Sequence, residues 1–456
     1  MKIAILGGAG LRTPLIVRSM VKRQKQLGLT ELSLMDTSAR QLEVTGAITS
    51  ELEKNSSLDF KIDRTTDIKH ALAGADYVIM TFRVGGMESR VIDEKVALSH
   101  GVLGQETTGP GGFAMAMRSI PVVLDYVKLM KKVCPDAWLI NFSNPSGIVT
   151  EAIINKGGWK NAIGICDGPE MIRGYAAIAL GAKTSDVQME YFGLNHLGWA
   201  RAIWYKGKNH VPDFINMIKQ AGGLPGLPFS IGVIEALGMI PNEYLYYYYH
   251  SKEAVENILK TVKTRGEMLV EQNTVLSSDL EKLFETGDKE GLVRRYKAYL
   301  DMRSETYMAN ETGGRFEEFK LDQESIDNLT EEGYADVALG AIEALEGGSP
   351  RVMTLNVPNA GAIVGFPETA IVEIPVLVDT DCIRQITVGN IPIYCMGLMQ
   401  SVKSYELYTV DAATEGSYLK AVAALTVHPL VRDYALAKSL VDGYIKGHKN
   451  LFPKLT

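Results

Sequence analysis

Cys166 and His196 are a pair of side chains whose types suit metal chemistry. Thiolate and imidazole are ligands for borderline divalent ions. Two protein ligands leave coordination positions open for water and substrate, which marks a catalytic site rather than a structural one. Taken singly, each has a plainer explanation. A free cysteine behaves as a small core hydrophobe, and a histidine within Gly193-Leu194-Asn195-His196-Leu197-Gly198-Trp199 packs beside Leu and Trp. A second constellation is Gly7-Gly8-Ala9-Gly10 followed by Leu11-Arg12-Thr13-Pro14. Gly8 and Gly10 take the first two places of G-x-G-x-x-G, and Thr13 stands where the third glycine belongs. Such a turn lets the backbone approach a pyrophosphate, whose charge the N–H groups of a helix N-terminus meet. The alternative is a glycine turn that binds nothing. Asp36 closes Glu31-Leu32-Ser33-Leu34-Met35-Asp36. An acid there accepts hydrogen bonds from the adenosine ribose and repels a 2′-phosphate, favouring NAD over NADP. Its alternative is a capping role before Thr37-Ser38, and Arg40 stands close enough to accommodate a 2′-phosphate.

Regular elements must position these groups. Lys2-Ile3-Ala4-Ile5-Leu6 reads as a strand buried on both faces, and the apolar-periodic run through Leu15, Ile16, Met20 and Val21 reads as a helix. Helices are expected over Ala39–Lys54, Asp67–Ala73, Phe113–Lys132 and Ile148–Ile154, and strands near Phe60–Ile62, Asp76–Phe82, Ala137–Phe142 and Ala162–Ile165. This alternation predicts an α/β fold with a Rossmann-like doubly wound parallel sheet, whose ligands lie beyond the carboxyl ends of the strands. The stretch Gly104 to Gly112 is all Gly, Pro or Thr from Thr107 onward, which argues against helix. Beyond Met171 helices dominate (Met171–Leu180, Val255–Val275, Gly291–Tyr307, Tyr334–Leu345), with fewer strands, at Val352–Leu355 and Ala370–Val378. The expected division is residues 1–170 as a dinucleotide-binding domain and residues 171–456 as a C-terminal α+β domain.

At 456 residues the chain exceeds one ordinary core. Its net charge of −7 argues against nucleic acid and anionic membranes as partners, so an anionic ligand must be held by local arginines. No leader or membrane-length apolar run is seen, and the four cysteines show no C-x-x-C spacing. A cytoplasmic protein without disulfides is expected.

Over essentially its whole length the sequence resembles glycoside hydrolase family 4, the NAD- and divalent-metal-dependent glycosidases. The stretches that carry the resemblance are Gly7 to Pro14, Phe82-Arg83-Val84-Gly85-Gly86, Arg90-Val91-Ile92-Asp93-Glu94, Gly104 to Gly112 and Asn141-Phe142-Ser143-Asn144-Pro145. They continue with Cys166-Asp167, Gly193 to His196, Pro241-Asn242-Glu243-Tyr244-Leu245 and Asn356 to Pro367. Tyr334 to Ala338 and Gln400 to Glu406 look like the 6-phospho-β-glucosidase branch.

The resemblance implies that NAD⁺ oxidises the sugar at C3, a base removes the C2 proton, the aglycone leaves by elimination, water adds, and NADH returns the hydride. The family lies outside the two-carboxylate scheme of most glycosidases. It implies a divalent metal, above all Mn²⁺, on Cys166 and His196, with Tyr244 as the base. NAD would lie against Gly7, Gly8, Gly10, Thr13, Asp36 and Arg83. Asn144 matches a sugar-hydroxyl contact, and Arg90 and Arg265 match phosphate contacts. Packing is the alternative for Tyr244, a turn before Pro145 for Asn144, and surface helix charge for the arginines. Asp167 departs from the Asn usual in β-type members and looks like the acid of α-type members, which leaves the anomeric preference open. The implied substrate is a phosphorylated disaccharide or aryl glycoside, and the implied assembly a homodimer or homotetramer. Competing readings are a lactate/malate-type hydroxyacid dehydrogenase and a non-catalytic NAD-sensing protein.

Overall fold

The computed structural model describes residues 1–221, 227–314 and 335–456. Six strands form a parallel sheet: β1 (Lys2–Leu6), β2 (Glu31–Met35), β3 (Lys61–Thr65), β4 (Tyr77–Met80), β5 (Trp138–Asn141) and β6 (Ala162–Gly164). Their order is β3-β2-β1-β4-β5-β6, the order of a dinucleotide fold. The side chains of β1 show why an uninterrupted apolar run was needed. Ile3 and Ile5 enter one core with Phe113, Met117 and Ile120, while Ala4 and Leu6 enter another with Val123, Val127 and Met130. Helices therefore cover both faces, and each fully buried Ile or Leu contributes about 1.5–3 kcal/mol.

The sheet does not stop at β6. β7 (Gln188–Leu194) and β8 (Leu197–Tyr205) form a hairpin, followed by β9 (Lys208–Asn209), β10 (Ile240–Pro241), β11 (Arg351–Pro358), β12 (Ile371–Asp379) and β13 (Cys382–Gln385). All belong to one 13-stranded sheet whose main path runs β10-β8-β7-β12-β11-β6 before the parallel strands. The pairings from β6 to β10 are antiparallel. The C-terminal half is thus richer in strands than its sequence suggests. The β7–β8 hairpin escaped notice because Glu190, Arg201 and several glycines interrupt its apolar pattern.

Two further expectations are corrected. Pro110, Gly111 and Gly112 are not loop but the first turn of the helix Pro110–Val133. Proline is pre-organised for that position. The glycines are required by crowding, since a Cβ on Gly111 would lie 2.0 Å from the Gln105 carbonyl oxygen and one on Gly112 2.3 Å from that of Thr107. The helix expected over Val255–Val275 is two helices, Ser251–Lys260 and Arg265–Glu285. Thr264 and Glu267 form a reciprocal capping box that starts the second, so the polypeptide cannot run through as one helix. The C-terminal helix expected from Tyr334 is described over residues 335–345, and Tyr334 itself lies outside the described residues. All four cysteines are free thiols, and no described helix is long and apolar enough to cross a membrane.

Candidate active site

The glycine turn is pressed into the sheet edge. Gly7 has a φ of +97°, and a Cβ on it would lie 2.4 Å from the Thr81 carbonyl oxygen. A Cβ on Gly8 would lie 2.8 Å from Leu34 Cβ. Thr13 is buried, with its hydroxyl 3.5 Å from the Gly7 carbonyl, which the Gly10 N–H also reaches. Asp36 braces the turn: Oδ2 accepts the Ala9 N–H at 3.0 Å, and Oδ1 accepts the Thr37 N–H at 2.8 Å. Ser38, not Asp36, caps the next helix. Arg40 is turned away to Glu285, at 2.9 Å, with its guanidinium over the Phe284 ring.

Cys166 and Asp167 follow β6, and Asn144 follows β5, so all three stand at the carboxyl edge of the parallel strands. His196 occupies the tight turn between β7 and β8 with a φ of +62°. Pairing of β10 with β8 sets Asn242 beside Gly198, whose carbonyl accepts the Asn242 N–H at 2.9 Å. Asn242 Oδ1 then accepts the Tyr244 N–H at 3.0 Å and starts the short turn that aims Tyr244. The Tyr244 ring stacks on His196 with centroids 3.7 Å apart and planes 4° from parallel. Burial, with Glu243 and Cys166, drives the Tyr244 phenol well above its ordinary range, against a hydrogen bond from Tyr307. Burial likewise pushes the Cys166 thiol up and His196 down to about 4. Glu243 is pushed up to about 7, also by burial. Asp167 lies 3.7 Å from Arg12, joining this group to the glycine turn. The Asn144 side chain has no hydrogen-bond partner among the described residues, and the Gly147 N–H nearby reaches Asn195 Oδ1 at 3.4 Å.

The arginines meet through two glutamates. Arg90 pairs with Glu94 at 2.7 Å and with Glu106 at 2.9 Å, and Arg83 shares Glu106. Glu94 also accepts the Gly266 N–H at 2.8 Å, which draws Arg265 in beside Arg90. Surface charge does not explain these residues: Arg90 is 5% exposed and Arg265 9%. Arg265 donates to the Thr306 and Arg303 carbonyls and has no carboxylate partner among the described residues. Burial, then Arg90 and Arg303, lowers its pKa. Against the cost of burial, Arg83, Arg90 and Arg303 hold Glu106 ionised, well below the usual carboxylate range. Thr107, next to Glu106, contacts His196 at 2.9 Å and so links the arginines to the ring stack.

Sequence reasoning missed Glu106, Thr107, Asn242, Arg303 and Tyr307. Glu106 and Thr107 lie in a glycine-rich stretch whose composition was noted. Arg303 sits in the last turn of the helix Lys289–Glu305 and Tyr307 just beyond it, where nothing in the local pattern separates them from surface residues.

The chain matches the family model for family 4 glycosyl hydrolases over residues 2–180 and the model for the C-terminal domain of that family over residues 191–431. The chain belongs to glycosyl hydrolase family 4. That membership excludes the dehydrogenase and NAD-sensor readings. A Bacillus subtilis relative named "Probable 6-phospho-beta-glucosidase" is 30% identical, covering 100% of this chain and 98% of its own. A Leptotrichia buccalis relative named "6-phospho-alpha-glucosidase" is also 30% identical, covering 99% of each chain. The solved 6-phospho-β-glucosidase of Thermotoga maritima, determined with manganese, NAD⁺ and glucose-6-phosphate, aligns with a TM-score of 0.82 at 27% identity over 100% of both chains. It shares the Rossmann-like sheet and the C-terminal domain.

Proposed function

We propose that this family 4 enzyme hydrolyses 6-phosphorylated β-glucosides with NAD and a divalent metal, manganese above others, as cofactors. The carrying observation is a guanidinium set in which Arg90 and Arg265 are buried and Arg83 and Arg303 half-buried. Arg83, Arg90, Arg265 and Arg303 outnumber Glu94, Glu106 and Glu311 there, and burial favours the neutral form of Glu311. Surplus buried positive charge is costly unless an anion completes it. It lies beside the stacked pair Tyr244 and His196, where a sugar bearing that anion would reach.

The residues present fit both cofactors. Gly7 and Gly8 leave no room for a Cβ, and Asp36 keeps lone pairs for a ribose. Cys166 and His196 supply sulfur and nitrogen donors, and the buried Nδ2 of Asn242, which has no partner among the described residues, is left to donate to an oxygen of a bound group. When bound, NAD supplies a reversible hydride acceptor and the metal a Lewis acid held by Cys166 and His196. Arg90 and Arg265 hold the 6-phosphate through charge-assisted hydrogen bonds, with Arg83 between them and the nucleotide. Asn144 meets a sugar hydroxyl. The Tyr244 phenol oxygen takes the proton on sugar C2; burial, with Glu243 and Cys166 beside it, raises its pKa, so it needs added positive charge to act at neutral pH. Asp167 gives a proton to the leaving oxygen. Residues 1–170 would hold NAD and bring Arg90, Asn144, Cys166 and Asp167 to the substrate and metal, and residues 171–456 would add the other substrate and metal contacts and the subunit contacts, in a cytoplasmic homodimer or homotetramer.

A second reading, α-linked substrates, is favoured by Asp167, a carboxylate where the resemblance implies the Asn of many β-type members. Chromogenic α- and β-glucosides, each with and without a 6-phosphate, assayed with NAD⁺, Mn²⁺ and a thiol reductant, separate the two. Release from the phosphorylated β-glucoside is expected. Release from the phosphorylated α-glucoside alone establishes the second reading, and a preference for unphosphorylated sugars contradicts both.

A further inference from the structure

We infer that Thr107, held by Gln105, locks His196 in the tautomer protonated at Nδ1, leaving the Nε2 lone pair bare for a metal. The inference rests on the metal reading above.

The end of the Gln105 side chain is fixed first. One of its terminal atoms lies 2.6 Å from both the Thr107 and the Thr108 backbone nitrogens. Backbone N–H groups only donate, so that atom is the carbonyl oxygen Oε1 and not the amide nitrogen. The Thr107 hydroxyl oxygen lies 3.0 Å from the same Oε1. Oε1 can only accept, so the hydroxyl proton points at it. Otherwise two oxygens would face each other through lone pairs in a buried space, where Gln105, Thr107 and His196 are each less than a tenth exposed. A hydroxyl has one proton, and here it is used. Toward His196 Nδ1, 2.9 Å away, the Thr107 oxygen therefore accepts, and Nδ1 carries the hydrogen. The other tautomer would leave one of these two contacts without a proton.

The surroundings hold this relay in place. The glycines of the following helix turn let the Gln105 and Thr107 carbonyls nest against it, because a Cβ at Gly111 or Gly112 would collide with them. The left-handed backbone of His196 and the flat stack of Tyr244 fix the plane of the ring. Thr107 and Gln105 are thus positioning residues. Groups that orient a ligating histidine through its other nitrogen change metal affinity by about 10–100-fold when lost.

The test uses the full-length enzyme freed of metal by chelation. Two-bond ¹H–¹⁵N correlation spectra of protein labelled at histidine report which ring nitrogen carries the proton, with the His196 signals identified by their loss in His196→Ala. A protonated Nδ1 and bare Nε2 are expected; a proton on Nε2 overturns the inference, and this arm needs no variant of Thr107. The second arm measures Mn²⁺ affinity by electron paramagnetic resonance of free Mn²⁺, with circular dichroism as the check on folding. Thr107→Val should bind Mn²⁺ about 10–100-fold more weakly, and Thr107→Ser, which keeps the hydroxyl, should recover most of that loss. Wild-type affinity in Thr107→Val while His196→Ala has lost Mn²⁺ overturns the inference and spares the metal site. Wild-type affinity in His196→Ala overturns the metal reading itself.

Discussion

The helix Gly86–Ser99 carries a buried arginine–carboxylate cluster on each of two sides, and the two differ in how their charge is closed. On one side Asp93 takes both terminal nitrogens of Arg118, at 2.6 and 2.7 Å, and His448 Nε2 at 2.7 Å. All three side chains have no solvent exposure. On the other side Arg90 and Glu94 open toward Glu106, Arg83, Arg265 and Arg303, where Arg265 lacks a carboxylate and Arg83 and Glu106 remain 20% and 19% exposed. In the closed cluster both Asp93 oxygens and the Arg118 fork are paired, and only His448 Nδ1 lacks a partner among the described residues. This cluster ties the helix to the helices Pro110–Val133 and Tyr434–His448 and serves the fold. The open cluster holds its cations at a cost that a bound anion would relieve. Burial alone therefore does not separate structural from functional charge; the balance of partners does.

Breaking the closed cluster should have the largest effect. Arg118→Met leaves the Asp93 carboxylate buried without its main counter-charge, and about 3–5 kcal/mol of stability is expected to go. Urea unfolding measures it, and the enzyme that stays folded should keep its KM for the phosphorylated sugar. A loss confined to KM would mean that the comparison is drawn the wrong way round. Arg265→Ala should do the reverse. A charge-assisted contact is worth about 1.5–3 kcal/mol, so KM for the 6-phosphorylated glucoside should rise roughly tenfold or more. The unphosphorylated glucoside should be unaffected, and the urea midpoint should barely move. Equal rises on both substrates would remove Arg265 from the phosphate site. The smallest effect is expected at Arg40, whose exposed pair with Glu285 is worth about 0–1 kcal/mol. Arg40→Ala should leave stability and NAD affinity unchanged in a calorimetric titration. A selective fall in NADP affinity would show that Arg40 does reach a 2′-phosphate.

The same contrast explains what could be read in the sequence. The strand of Lys2–Leu6, the glycine turn, the helix after it and Asp36 are legible because one short stretch of chain carries the whole device, and its periodicity is local. The parallel strand order follows from the repeated alternation of strand and helix. The hairpin of β7 and β8 was not legible, because its apolar pattern is broken by Glu190 and Arg201, and so the turn that presents His196 went unplaced. Arg265 reads as a surface residue until the helix Arg265–Glu285 is packed on the helix Gly86–Ser99, where Glu94 caps it through the Gly266 N–H. Arg303 and Tyr307 belong to the site only through tertiary contact. The first turn of the helix Pro110–Val133 was misread because glycine lowers helix propensity, whereas here the close approach of the Gln105 and Thr107 carbonyls demands it.

The central claim is that the open cluster delivers a phosphorylated sugar to Tyr244, which moves the proton at C2. Turnover of the 6-phosphorylated glucoside in D₂O, with the product read by NMR, tests this most directly. The wild-type product should carry deuterium at C2, and Tyr244→Phe should lose both exchange and turnover while still binding glucose-6-phosphate. A two-carboxylate glycosidase leaves that C–H bond untouched, so a product with only hydrogen at C2 would contradict the account. Exchange that survives in Tyr244→Phe would contradict the assignment of the base.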